Sequence, residues 1–156
     1  MYKYVKPERL DAREPAALGQ QIVDGFQLAL EQKDGMLGGQ KVELIVEDDE
    51  LKPDVALVKA TSLVERDKVD FVVGTVFSNM LQAIFKPIVQ SDTFLISPNA
   101  GPSTFAGRNC NPYFFVTSYQ NNQNAEVSGM IANEEGFENV FTMVPNYQAG
   151  RDNIVG

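Results

Sequence analysis

Chemistry in this chain is most concentrated in three loops. The first, residues 74–79, runs Gly74, Thr75, Val76, Phe77, Ser78 and Asn79 between an apolar segment and a stretch of helical spacing. A loop that ends a strand and opens a helix leaves backbone N–H groups unpaired at the positive end of the helix dipole. Together with the Ser78 hydroxyl they form an anion site suited to a carboxylate, flanked by Phe77 and Asn79. Ser78 is equally suited to capping that helix. The second loop, 96–103, carries Asn99, Ala100 and Gly101 among small residues and prolines, which allow a ligand to approach the backbone; ordinary turn formation uses the same residue types. In the third, 145–150, Tyr147 is suited either to stacking on a flat ligand or to covering a strand end.

Other chemistries are poorly provided for. With no histidine and Cys110 as the single cysteine, the usual zinc ligands and the Ser-His and Cys-His nucleophile pairs are missing. No catalytic residue, metal site or cofactor is expected. Cys110 cannot form an internal disulfide, and its plain reading is a buried, inert thiol. Asp48 and Asp49 at a strand end suit magnesium or phosphotransfer chemistry, but no lysine follows another strand where a receiver-like module needs one, so solvated or structural carboxylates are the better reading. Neither glycine-rich phosphate motif is present. A net charge of -8 gives no basic footprint for nucleic acid or an acidic membrane.

The elements that must position these loops alternate. Leu18, Ile22, Phe26, Ala29 and Leu30 recur at helical spacing from Pro15 to a stop near Gly35. A strand over 41–47 follows. Pro53 opens a second helix with Ala56, Leu57, Ala60, Leu63 and Val64 on its buried face. Next come a strand at 69–73, a helix buried through Leu81, Ile84, Phe85 and Ile88, and a strand at 93–97. An irregular loop over 99–111, a strand at 113–116, a helix to about Glu135 and a strand at 139–144 complete the pattern. Short, continuously apolar strands between helices imply an α/β fold, a doubly wound and mostly parallel sheet, which binds ligands at the carboxyl ends of its strands. The 156 residues suit one domain or slightly more. No apolar run reaches the roughly 20 residues of a membrane span, and the first residues do not read as a signal peptide.

Six separated motifs occur in order: Ala16 to Gly19; Gly25 to Ala29 followed by Gly38 and Gly39; Glu47, Asp48 and Asp49; Val72, Val73 and Gly74 with Ser78; Ile96, Ser97 and Pro98; and Asn146 and Tyr147 before Gly150. With this spacing the chain resembles the branched-chain amino-acid receptor type of periplasmic solute-binding protein of ABC transporters. The segments 96–103 and 145–150 look most like members that take up aromatic acids. The resemblance implies two α/β lobes closing on a small carboxylate, delivery to an ABC permease, and a periplasmic location. It matches Ser78 to the hydroxyl that binds the carboxylate and places Asn99, Ala100 and Gly101 on the loop adding further contacts. Where the family often has an aromatic residue just before the glycine, this chain has Ala149, with Tyr147 two residues earlier.

By the same resemblance, residues 1–117 are the first lobe, with 1–14 atypical and too charged for a central strand, and 118–156 are the opening helix and strand of an incomplete second lobe. A fragment of this kind is expected to cover its exposed edges by self-association. A ligand-sensing regulatory domain on the same fold is the alternative reading, and a magnesium-dependent receiver-like module a third.

Overall fold

The computed structural model describes residues 2–4 and 15–156. Its order is β1 (Tyr2–Tyr4), α1 (Pro15–Glu31), β2 (Met36–Leu37), β3 (Gln40–Leu44), α2 (Pro53–Glu65), β4 (Phe71–Val73), α3 (Ser78–Val89), β5 (Phe94–Ser97), β6 (Phe114–Val116), α4 (Asn121–Glu134) and α5 (Gln148–Val155). Two three-stranded sheets result, ordered β1-β3-β2 and β4-β5-β6. All pairings are parallel except the β2–β3 hairpin. Among the described residues no helix is long and apolar enough to cross a membrane.

Helices α2 and α3 pack against each other, and α3 also packs on β5. Leu63, Val72, Leu81, Ile84, Ile88 and Leu95 are buried together between them. Pro53 stands at the start of α2, where its missing N–H costs no hydrogen bond, and Asp54 in the first turn favours the helix dipole. The irregular loop after β5 folds into two 3-10 turns, Ser103–Phe105 and Gly107–Asn109. It is pinned by aromatic contacts: Phe105 stacks on Phe85 of α3 at 3.9 Å between ring centroids, and Phe114 of β6 meets both edge-on. That anchor holds the residues just before it in place at the sheet end.

Several expectations need correction. Residues 2–4 do form a strand, with Tyr2 opposite Val42, Lys3 opposite Glu43 and Tyr4 opposite Leu44, and β1 also lies against β4. Three residues suffice because the edge of β3 supplies the ladder, whatever the charge of the segment as a whole. The remainder of the segment 1–14 lies outside the described residues. The buried line of α1 runs through Gly19 and Val23, with Ile22, Phe26 and Leu30 half-buried and Leu18 and Ala29 exposed. In α2, Leu57 is 42% exposed while Ala56, Ala60, Leu63 and Val64 are buried. Cys110 is exposed, because it follows the second 3-10 turn on the loop's outer side. The expected strand over 139–144 forms no ladder, since no described segment offers it a partner edge. Gln148, expected in a loop, begins α5.

Leu81, fully buried, contributes roughly 1.5–3 kcal/mol through its apolar surface, and deleting it also leaves a cavity. Leu81→Ala should therefore cost about 2–5 kcal/mol in urea unfolding, and Leu57→Ala under about 1 kcal/mol. Equal costs would contradict this placement of the two α2–α3 faces.

Candidate functional site

The carboxyl ends of β4, β5 and β6 lie side by side, and the segments leaving them are tied together. Gly74 N–H donates to Ile96 carbonyl at 3.1 Å, and Ala100 N–H reaches the Thr75 carbonyl at 3.4 Å. The Asn99 side-chain amide donates to the Val76 carbonyl at 2.7 Å, and the Ser97 hydroxyl closes its own turn on the Ala100 carbonyl at 2.6 Å. From the β6 side, Asn121 N–H donates to Gly101 carbonyl at 2.8 Å and Ser118 Oγ to Asn99 carbonyl at 3.1 Å. Two glycines permit the close approaches. A Cβ on Gly101 would run into the Tyr119 carbonyl, and one on Gly150 into the Pro145 carbonyl.

These loops border a cleft of about 770 Å³ whose walls include Val76, Ser78, Asn99, Ala100, Tyr119, Asn121 and Tyr147. Four of the sequence-derived candidates, Ser78, Asn99, Ala100 and Tyr147, thus face one space. The other three do not line it. Phe77 meets the Tyr147 ring edge-on at 6.0 Å, Asn79 lies one residue into α3 beyond Ser78, and Gly101 is buried beneath the Tyr119 backbone. A separate cavity of about 70 Å³, lined by Ile22, Leu63, Val72 and Ile84 among others, includes none of the candidates.

Ser78 is 2% exposed and is not the helix cap. Phe77 occupies the N-cap position with extended backbone and caps with no side-chain hydrogen bond, so the first N–H groups of α3 receive nothing from it. The Ser78 oxygen instead accepts a hydrogen bond from Asn121 Nδ2 at 3.0 Å. Asn121 is held at the start of α4 by reciprocal bonds between Gln120 and Gln123. The same Nδ2 donates to Asp152 Oδ2 at 2.9 Å.

Asp152, on α5, is 3% exposed. It also accepts from Ser103 N–H at 3.1 Å, Ser103 Oγ at 2.6 Å and Gln148 Nε2 at 2.8 Å. Burial pushes its carboxyl pKa up, but the bonds from Ser103, Asn121 and Gln148 more than offset this and hold it below the ordinary aspartate value. Asn121, Asp152, Ser103 and Gln148 were not legible as site residues in the sequence, because their partners lie up to 49 positions away.

Asp48 and Asp49 each accept the N–H two residues ahead, from Glu50 and Leu51, at 2.8 and 2.9 Å. Their carboxylates serve the turn before α2. Burial raises the Asp49 pKa, the Leu51 N–H lowers it, and neighbouring Asp48 adds to the rise. Burial likewise raises the Tyr147 phenol.

A cleft at the carboxyl ends of parallel strands, bordered by loops bonded to one another and carrying a buried hydroxyl, is the place where α/β folds of this kind bind small molecules. Residues 14–156 match the family model described as periplasmic binding protein, and the chain belongs to that family, with the type I periplasmic-binding-protein fold. Among curated proteins, no sequence matches significantly. Among solved structures it is similar to a solute-binding protein of an ABC transporter from R. palustris in complex with benzoate, with 28% identity and a TM-score of 0.88, over 99% of this chain and 42% of that one. It is also similar to one from Rhodopseudomonas palustris BisB5 in complex with 3,4-dihydroxybenzoic acid, with 26% identity and a TM-score of 0.85, over 99% and 41%. The substrate-binding protein of a branched-chain amino-acid transporter from Streptococcus pneumoniae, in complex with isoleucine, shares the fold at 24% identity and a TM-score of 0.71, over 86% and 38%. The chain thus spans less than half the length of these relatives.

Because the folded-state pKa of Asp152 lies below its unfolded value, its stabilisation is full above the ordinary aspartate range and is lost as pH falls through the folded value. Asp152→Ala should cost about 2–4 kcal/mol near neutral pH by leaving several part-buried donors without their charged acceptor. It should cost much less in acid. Urea unfolding of both proteins across that range checks this; a pH-independent difference would contradict it.

Proposed function

We propose that this chain is the ligand-gripping part of a substrate-binding component of an ABC transporter, and that it recognises a small carboxylate without transforming it. The observation that carries this reading is the state of Ser78. Its oxygen already accepts from Asn121, so its own O–H is left to donate, and no acceptor for it is found among the described residues. It sits in the first turn of α3, beside N–H groups that no side chain caps. Buried donors need acceptors, and a carboxylate oxygen meets several at once. Asn99 and Ala100 form the facing wall, while Tyr147, backed by Phe77, offers an apolar ring. Asn79 and Gly101 contribute through the helix start and the loop backbone.

An aromatic acid is the favoured ligand, because the benzoate and dihydroxybenzoate complexes are the more similar structures. A branched-chain amino acid is the second choice, on the fold shared with the isoleucine complex. Membership of the family supports delivery to a permease and a periplasmic location. Residues 1–117 are taken as the first lobe and 118–156 as the opening of the second.

Titration of the isotope-labelled chain with benzoate tests this. Affinity should be weak, about millimolar, since many contacts of a two-lobed clamp are not in this chain. Amide signals of Ser78, Asn79 and Ala100 should shift together, and Ser78→Ala should weaken binding about tenfold. Shifts elsewhere, or none with any carboxylate, would remove the basis for this site.

The apolar residues Met130, Val140, Phe141, Met143 and Val155 are exposed, Phe141 by 86% and Met143 by 85%. Patches of this kind drive association. The isolated chain should therefore self-associate as its concentration rises, and a concentration-independent monomer in sedimentation velocity would contradict that.

A further inference from the structure

The hydrogen-bond chain from Ser103 to Ser78 has a direction, and the direction has a chemical consequence for the cleft. A carboxylate only accepts, so the Asn121 atom facing Asp152 Oδ2 at 2.9 Å must be its nitrogen. That nitrogen carries two hydrogens, and the second points to Ser78 Oγ at 3.0 Å. With one of its two lone pairs engaged from this side and no acceptor facing it there, Ser78 keeps its O–H free to donate toward the cleft. Were the Asn121 amide turned over, its oxygen would face Ser78, draw the hydroxyl hydrogen inward, and present a lone pair to the ligand.

The geometry points to Asp152 and Asn121 as positioning residues that hold the Ser78 hydroxyl as a donor, so that the cleft selects an anionic acceptor such as a carboxylate over a neutral amide. Neither residue need touch the ligand oxygen that Ser78 binds. Asp152 is itself fixed by Ser103, whose backbone N–H donates to the same Oδ2 that Asn121 meets, and by Gln148 on Oδ1. This makes a conservative variant informative. In Asp152→Asn, the Ser103 N–H holds the amide oxygen on the Oδ2 side, and the NH2 falls on the Oδ1 side, where the Ser103 hydroxyl and the Gln148 amide can rotate to accept from it. The direction of the chain is then kept. In Asp152→Leu the acceptor that fixes which end of the Asn121 amide faces α5 is gone, and the amide can turn over.

This role rests on the carboxylate-binding reading above, and the test separates the two. Benzoate and benzamide are titrated into the wild-type chain, Asp152→Asn and Asp152→Leu, with folding of each variant checked by amide-signal dispersion. Exchange of the Asn121 side-chain amide hydrogens is followed without ligand. In the wild type and Asp152→Asn these hydrogens should exchange slowly, and the preference for benzoate over benzamide should agree within about twofold. In Asp152→Leu exchange should quicken and the preference should fall by about tenfold, because a hydrogen bond to a charged acceptor is roughly twice as strong as one to a neutral acceptor. General loosening of the fold would weaken both ligands alike and leave the ratio unmoved. Binding by the wild type with an unchanged ratio in Asp152→Leu overturns the positioning role alone. Failure of the wild type to bind benzoate, while the Asn121 hydrogens still exchange slowly, overturns the carboxylate reading and leaves the hydrogen-bond chain with no ligand to direct.

Discussion

A carboxylate that is almost wholly buried remains charged in this protein because Ser103, Asn121 and Gln148 together supply the hydrogen bonds that water would otherwise provide. The arrangement around the cleft depends on this. Asp152 lies on α5, Asn121 opens α4, Ser103 begins the first 3-10 turn of the loop that follows β5, and Ser78 begins α3. Asp152 joins α5 directly to Ser103 and to α4, and Asn121 carries the link on to Ser78 of α3. Removing Asp152 takes the acceptor from Ser103, Asn121 and Gln148 at once, so the network specifies one arrangement of the loops in a way that apolar contacts cannot.

The apolar layer beneath it does a different task. Leu81, Ile88 and Leu95 bind α3 to the β4-β5-β6 sheet, which fixes the helix start relative to the strand ends. The stacked pair Phe85 and Phe105 then ties down the far side of the loop carrying Asn99 and Ala100. Burial sets the position of these elements to within a side chain. The hydrogen bonds between loops 74–78 and 97–101 set the final spacing of the cleft wall. Gly101 and Gly150 mark the two points where backbone meets backbone and a methyl group does not fit.

Surface composition changes along the chain. Between β4 and β6 the apolar residues are mostly covered, while α4 and the irregular stretch after it expose Met130, Ile131, Phe141 and Met143. The stretch over 139–144 reads as a buried strand and has the right residues for one, yet it pairs with nothing among the described residues. Strand propensity alone does not make a strand, because half of a strand's hydrogen bonds belong to its neighbour.

Much of the fold was legible from local pattern. The alternation of helix and strand, the starts of α2 and α3, and the loops leaving β4 and β5 all follow from apolar spacing, Pro53, Gly74 and Pro98, since periodicity and chain-breaking residues act within a few positions. Ser78, Asn99 and Ala100 could be singled out for the same reason, since each lies just beyond the carboxyl end of a strand, and Tyr147 because it follows a stretch with strand-like residues. Other features needed the third dimension. The strand Tyr2–Tyr4 exists because β3 offers it an edge, and Leu57 faces outward although its spacing allows either face. That Phe77 rather than Ser78 caps α3, and that Ser78 answers to Asn121 and Asp152, depends on pairs 43 and 31 residues apart. Sequence by itself determined the kind of loop and the chemical groups available; the tertiary structure decided which groups meet and which way each hydrogen bond points, because those depend on distances that only the folded chain sets.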